Sequence, residues 1–187
     1  MNGRNLFKRL KFVFNVLDKL IGLLPFFIRS AMFSLFSGFP GKLGVAIRYV
    51  LLRSLARSCG ENVYVGRWCT IKNFECLNIG SNVSLHEYCY IDAKGELNIG
   101  DNVSIAHGCS ILTFEHTFDD ANLPIKYQEL KLAAVSISDD VWLGCGVRVL
   151  AGSVIEARTV IGANSVVRNT LESGVYVGSP ARKVRPL

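Results

Sequence analysis

From Cys59 onward the apolar residues of this chain recur every six positions. Cys59, Val65 and Ile71 open the series, and Ile79, Leu85, Ile91 and Ile99, Ile105, Ile111 continue it. After a gap it resumes through Ile137, Leu143, Val149, Ile155, Ile161 and Val167. A second series lies four residues after most of these and holds small or β-branched side chains: Val63, Cys69, Val83, Cys89, Val103, Cys109, Val141, Val147, Ser153, Thr159 and Ser165. Neither a helical period nor the simple alternation of a strand gives that pairing. Short strands joined by tight corners do, with three six-residue sides to each turn of a mainly β coil.

The turns 59–78 and 79–98 each hold 20 residues rather than 18, and the surplus falls on the third side, from Ile71 to Ile79 and from Ile91 to Ile99. In the next turn that side swells from Ile111 to Ile137, so a loop over about 112–134 leaves the coil at a consistent edge. The spacing also explains Cys69, Cys89 and Cys109, which are 20 apart and stack as equivalent interior positions at the strand spacing of about 4.8 Å. With no CxxC in the chain, these thiols are read as packing groups, not as metal ligands or a disulfide framework.

Charge changes the picture at the front of the chain. The 187 residues suit one ordinary domain plus an appendage, and a hydrophobic content of 50% argues against global disorder. The net charge of +6 is unevenly spread, because residues 1–58 hold ten Lys/Arg against Asp18 alone and the remainder holds eleven against fourteen acids. Residues 1–58 are therefore read as a basic, Phe- and Leu-rich amphipathic helical segment ahead of a coil domain at 59–187. Its longest uncharged runs, 20–28 and 30–41, fall short of the roughly 18–20 residues of a membrane span. A cleaved signal peptide fits poorly, since basic residues continue past the apolar stretch without a small-residue cleavage pattern. The expected location is cytoplasmic. The segment suits either a helix lying in an anionic membrane surface, which would bring peripheral contact with the inner face of the cell membrane, or a cap packed on the coil or between subunits. No motif interleaved with the basic residues points to nucleic acid.

The hexapeptide spacing, with "IGSNVS", "IGDNVS", "ISDDVWLGCGVRVLAGSVIEARTVIGANSVV" and the terminal "VGSPARKVR", resembles the hexapeptide-repeat acyltransferases. Within them it is most similar to the sugar O-acetyltransferases related to galactoside and maltose acetyltransferase, including those that modify bacterial surface polysaccharides such as lipopolysaccharide. The resemblance covers about residues 42–187. It implies a left-handed parallel β-helix that works as a homotrimer with active sites in the clefts between subunits. It also implies acetyl-CoA as co-substrate and a saccharide acceptor, within a polysaccharide or its lipid-linked precursor.

Moving an acetyl group from a thioester to a hydroxyl needs a base, and an imidazole with a pKa of about 6.5 suits the task. His116 lies where the third side gives way to "TFEHTFDDANLPIKYQELKLAA", the junction at which the family carries its catalytic histidine. Candidates to hold its other nitrogen are Glu129, Asp119, Asp120 or a backbone carbonyl. Glu129 lines up with a family loop glutamate if the insertions match, and is taken as an acceptor-side residue. His86 follows the inward Leu85 and should point outward; where the galactoside type has an acceptor-contacting asparagine, His86 is either an acceptor ligand or an exposed structural histidine. His107, at a corner, is read as structural.

On the donor side, Trp142 in "DDVWLG" resembles the tryptophan lining the family's acetyl and pantetheine channel. Gly144 and Gly146 would permit close backbone approach, and the Ala163 amide matches a position that hydrogen-bonds the pantetheine arm. Arg182, Lys183 and Arg185 follow "GSP" where the family grips the adenine and 3′-phosphate, and an arginine fork pairs two phosphate oxygens. Two positions depart from relatives. Cys145 replaces a serine, and Asn169 stands where lysine is frequent, with Arg168 beside it as a replacement.

An N-acetyltransferase of an amino sugar would share the fold and the base, and a non-catalytic β-helix scaffold would share the fold alone. The γ-class carbonic anhydrases have this fold too and bind zinc through three histidines, the last two five residues apart. Here His107 and His116 are nine apart, and His86 and His107 occupy different positions in their turns, so no metal is expected.

Overall fold

The computed structural model describes residues 3–187; Met1 and Asn2 of the basic front segment lie outside the described residues. The chain forms a three-sided parallel β-helix of about six turns, preceded by three helices. Its register is the one the periodicity sets. The first side stacks Cys59, Ile79, Ile99, Ile137, Ile155 and Leu171. The second stacks Val65, Leu85, Ile105, Leu143, Ile161 and Tyr176. The third stacks Ile71, Ile91, Ile111, Val149 and Val167. All of these except half-buried Cys59 are buried.

Each side of a turn thus contributes an apolar side chain to the axis, while backbone groups pair with the turn above, as in Gly60 N–H to Ile79 O at 2.9 Å and Tyr64 N–H to Val83 O at 2.8 Å. Turning a corner in so few residues requires left-handed backbone. Asn62, Asn82, Asn102, Asp140 and Arg158 adopt it between the first and second sides, and Trp68, Tyr88, Gly108, Gly146 and Asn164 between the second and third. Asparagine and glycine tolerate this region, whereas a tryptophan there is strained. Trp68 is held by the helical cap: its N–H donates to Ser37 O at 3.0 Å, and its ring fills the space a Cβ at Gly38 would need. The cysteine stack is buried and unbridged, each thiol donating to a carbonyl of the following turn: His86 O at 3.0 Å, Ala106 O at 3.3 Å and Gly144 O at 3.1 Å.

The helices are α1 (Gly3–Gly22), α2 (Phe26–Leu35) and α3 (Gly41–Leu55). An open coil end would expose apolar residues, and α3 covers it by burying Tyr49, Val50, Leu51, Leu52 and Leu55 in one core with the coil. Arg48 anchors it. Fully buried, it donates from Nε to Val65 O at 2.9 Å and from Nη1 to Phe39 O at 2.8 Å, with longer bonds to Phe36 O and Ser37 O. Burial lowers its pKa from the ordinary arginine value. Phe7 and Phe14 of α1 each pack 5.4 Å from the Tyr49 ring. Among the described residues, no helix is long and apolar enough to cross a membrane.

Two segments leave the coil geometry. Phe114–His116 and Leu130–Leu132 form an antiparallel hairpin at the edge between the third and first sides. Gln128 Nε2 braces its tip, bonding Asp120 O at 2.8 Å and Leu123 O at 2.9 Å. The C-terminal tail is not a free tail: Arg182–Arg185 turns back antiparallel on Gly174–Val177 and becomes the last strand of the second side. Its run of cations carries no apolar alternation that would mark a strand in the sequence.

Candidate active site

His116 closes the first strand of the hairpin, opposite Leu130, and is exposed at the edge between the third and first sides. The Thr117 N–H and hydroxyl both donate to Glu129 O, at 3.0 and 2.9 Å, which fixes Glu129 diagonally across from His116. The Asp120 carboxylate is engaged by the Asn122 N–H at 2.8 Å and shapes the loop tip. Asp119 is exposed. Among the described residues no hydrogen bond joins the His116 ring to Glu129, Asp119 or Asp120.

A separate cluster lies around His86, at the edge between the second and third sides. The His86 ring packs 5.6 Å from the Tyr64 ring, its Nδ1 is 3.9 Å from Glu87 Oε2, and the Tyr64 hydroxyl donates to Glu87 Oε1 at 3.0 Å. The Glu87 pKa is lowered, first by its own backbone N–H and then by Tyr64 and the charge of His86. Burial raises the Tyr64 phenol. Tyr64 and Glu87 were missing from the sequence reading. The signal was available, since Tyr64 stands one turn before Ser84 and faces outward on the same side as it. Exposed His107 lies on this edge too, one turn after Glu87 and one before Cys145, as the registers Ser84↔Ser104 and Ser104↔Trp142 place it.

Most of the donor-side candidates gather on the second side. Trp142 points outward between Ser104 and Val160 and is 53% exposed. Ala163 is exposed at the adjoining edge, and no protein acceptor takes its N–H among the described residues. Exposed Arg182, Lys183 and Arg185 lie on the antiparallel strand of that side, the Lys183 ammonium 6.0 Å from the Tyr176 ring. Arg168 is exposed just after Val166–Val167 of the third side. Gly144 has a packing explanation: a Cβ there would lie 2.7 Å from Ala163 N, and its own N–H is spent on Ile161 O at 2.8 Å. Its glycine is required by the next turn of the coil. An exposed indole, an unpaired amide and a cluster of cations suit an extended donor that is partly apolar and carries phosphates.

One chain does not bring most of these parts together. In a three-sided coil the second side faces away from the edge between the third and first, so His116 stands on the opposite flank from Trp142 and Arg182–Arg185, while Arg168 shares the edge of His116. Phe118, Leu123, Ile125 and Tyr127 of the hairpin are also exposed. The histidines do not converge: His86 and His107 share one edge, His116 stands at another, and among the described residues no group of three His, Cys, Asp or Glu could hold a metal ion.

The family described as "Bacterial transferase hexapeptide (six repeats)" matches residues 134–169. Among solved structures, the chain is similar to a hexapeptide-repeat-containing acetyltransferase from Vibrio cholerae O1 biovar eltor complexed with acetyl coenzyme A, at 26% identity and a TM-score of 0.76, over 85% of each chain. It is equally similar in fold to a maltose O-acetyltransferase from Clostridium difficile 630, at 28% identity and a TM-score of 0.76, over 87% of this chain and 86% of that one. Among curated proteins, 76 residues are 40% identical to the Escherichia coli K12 protein named "Putative lipopolysaccharide biosynthesis O-acetyl transferase WbbJ", covering 39% of each chain. Two further curated relatives are spanned over 27% and 26% of their lengths, so the chain matches well under half of these proteins.

Proposed function

We propose that this chain, which carries bacterial transferase hexapeptide repeats and resembles the hexapeptide-repeat acetyltransferases in sequence and fold, is an acetyl-CoA-dependent O-acetyltransferase acting on a sugar hydroxyl. The observation that carries this reading is the exposed His116 on a braced hairpin together with a surface of Trp142, the Ala163 amide and the Arg182–Arg185 cations. These two halves face apart in one chain. The resemblance to the hexapeptide-repeat acetyltransferases implies a homotrimer, in which the hairpin of one copy would reach the second side of the next, join the halves in one cleft and cover Phe118, Ile125 and Tyr127.

In that cleft the His116 imidazole takes the proton of the acceptor hydroxyl as its oxygen attacks the thioester carbonyl carbon. A backbone N–H stabilises the resulting oxyanion, which collapses with release of the coenzyme A thiolate; the imidazolium then protonates the thiolate. The His86, Glu87 and Tyr64 cluster offers hydrogen bonds to the hydroxyls of the sugar. The name of the Escherichia coli relative supports an acceptor within a surface polysaccharide or its lipid-linked precursor.

The test is coenzyme A release from acetyl-CoA against a panel of nucleotide-sugar, lipid-linked and polysaccharide acceptors, with matched amino sugars. Hydroxyl acceptors should turn over, and His116→Ala should lower kcat by about 10²–10⁴. Turnover confined to amines would make the chain an N-acetyltransferase. No acetyl-CoA binding, or no effect of His116→Ala, would leave a scaffold.

A further inference from the structure

The outer face of α1 is apolar where water should meet it. With about 100° between successive residues, Phe12, Val13, Val16, Leu17 and Leu20 fill an arc of roughly 140°, which exposed Arg9 also enters one turn nearer the N-terminus. The residues that pack inward, Phe7, Leu10, Phe14 and Ile21, fill a neighbouring arc of roughly 60°. A helix that packs on one body needs an apolar stripe of only about 100°. The surplus is exposed, with Phe12 at 78% and Leu20 at 57%, and the apolar surface continues past the helix end at Leu23, 82% exposed.

The charge around this face is mainly positive, with Glu61 of the coil paired to Lys11 on another side of the helix. Asp18, the sole acid of residues 1–58, is tied to Arg53 at 3.3 Å. Lys19 is exposed and, on the helical wheel, borders the stripe beside Phe12. Exposed Lys42 adds to the positive field of the cap, whereas Arg57 is paired with Glu96 at 3.5 Å. An arc that is apolar over its last three turns, holds no acid, and carries Arg9 at its N-terminal end and Lys19 at its border complements a surface that is both oily and negatively charged.

We propose that the outer face of α1 docks the enzyme on an anionic lipid bilayer, with Phe12, Val16, Leu20 and Leu23 entering the boundary between headgroups and acyl chains and Lys19 meeting the headgroups. The β-helix and its clefts then hang beside the bilayer surface, where a lipid-linked acceptor would be presented. Docking does not depend on the catalytic assignment.

The full chain is to be sedimented with phosphatidylcholine vesicles and with phosphatidylcholine–phosphatidylglycerol vesicles. Binding is expected to the anionic vesicles, to fall with added salt, and to drop at least tenfold in a Val16→Asp, Leu20→Asp variant whose thermal unfolding matches the parent. A milder Phe12→Ser, Leu20→Ser variant should show a smaller loss in the same direction, and Lys19→Glu should weaken binding to anionic vesicles alone. Failure of the parent to bind anionic vesicles overturns the proposal, as does undiminished binding by the Asp variant. A change of oligomeric state in that variant without lipid also overturns it, because the face would then be a contact between copies. Acetyl-CoA turnover with a soluble acceptor should be unchanged in the Asp variant, so loss of docking and loss of catalysis are read separately.

Discussion

Two inactive variants of this chain should restore each other. His116→Ala removes the proposed base from the hairpin, and Trp142→Glu places a charge on the exposed face where the donor is proposed to lie. Both side chains are exposed, so neither change should disturb the coil. Alone, each variant should lose activity, the first by about 10²–10⁴. In a cyclic trimer every cleft takes its hairpin from one chain and its second side from the next, and it works when the hairpin belongs to a Trp142 variant and the face to a His116 variant. Random mixing makes roughly one cleft in four complete, and every mixed trimer has one working cleft in about three, whichever variant is in excess. Co-expressing the variants with different tags, purifying through both tags and measuring coenzyme A release should therefore give about a third of the parent rate per trimer. Mixed oligomers as inactive as their parents would refute the split site and require a route that brings His116 to the donor within one chain.

Arg48→Met keeps the volume of the buried side chain but strands the carbonyls of Val65 and Phe39, which it holds at 2.9 and 2.8 Å. At about 1.5–3 kcal/mol for each charge-assisted bond, the loss should be about 4 kcal/mol, or a fall of about 8–16 °C in melting temperature by calorimetry. A change of less than about 1 kcal/mol would mean that other donors reach those carbonyls. Burial pushes the Tyr49 phenol from its ordinary 10.0 up to about 12. The unfolded chain then loses this proton first, so the associated stability is intact below pH 10.0 and is lost as pH rises towards about 12. Denaturation midpoints measured across that window should fall less steeply for Tyr49→Phe than for the parent; parallel curves would show that the phenol titrates alike in both states.

The inward positions of the coil were legible because each is set by the turn directly above and below it. Once Ile79 is paired with Ile99, counting by six and by twenty places Leu85 on Ile105 and Ile91 on Ile111, and the structure keeps that register across the insertion to Ile137 and beyond. The exit of the hairpin loop was legible for the same reason, since it is where the count fails. The antiparallel pairing of Phe114–His116 with Leu130–Leu132 was not, because outward residues of a two-stranded hairpin carry no buried face to impose alternation. Nor was the buried state of Arg48, which depends on carbonyls brought to it from α2, the following turn and the second side of the coil.

By itself, then, the sequence determined the coil, its register, its interior and the edge from which His116 departs, since these follow from contacts repeated every turn along the chain. Only the tertiary structure decided how α3 closes the open end, how Arg182–Arg185 folds back on the second side, and that His116 and Trp142 face apart. Those relations join residues with no common period, and closure of the three sides in space is what sets them.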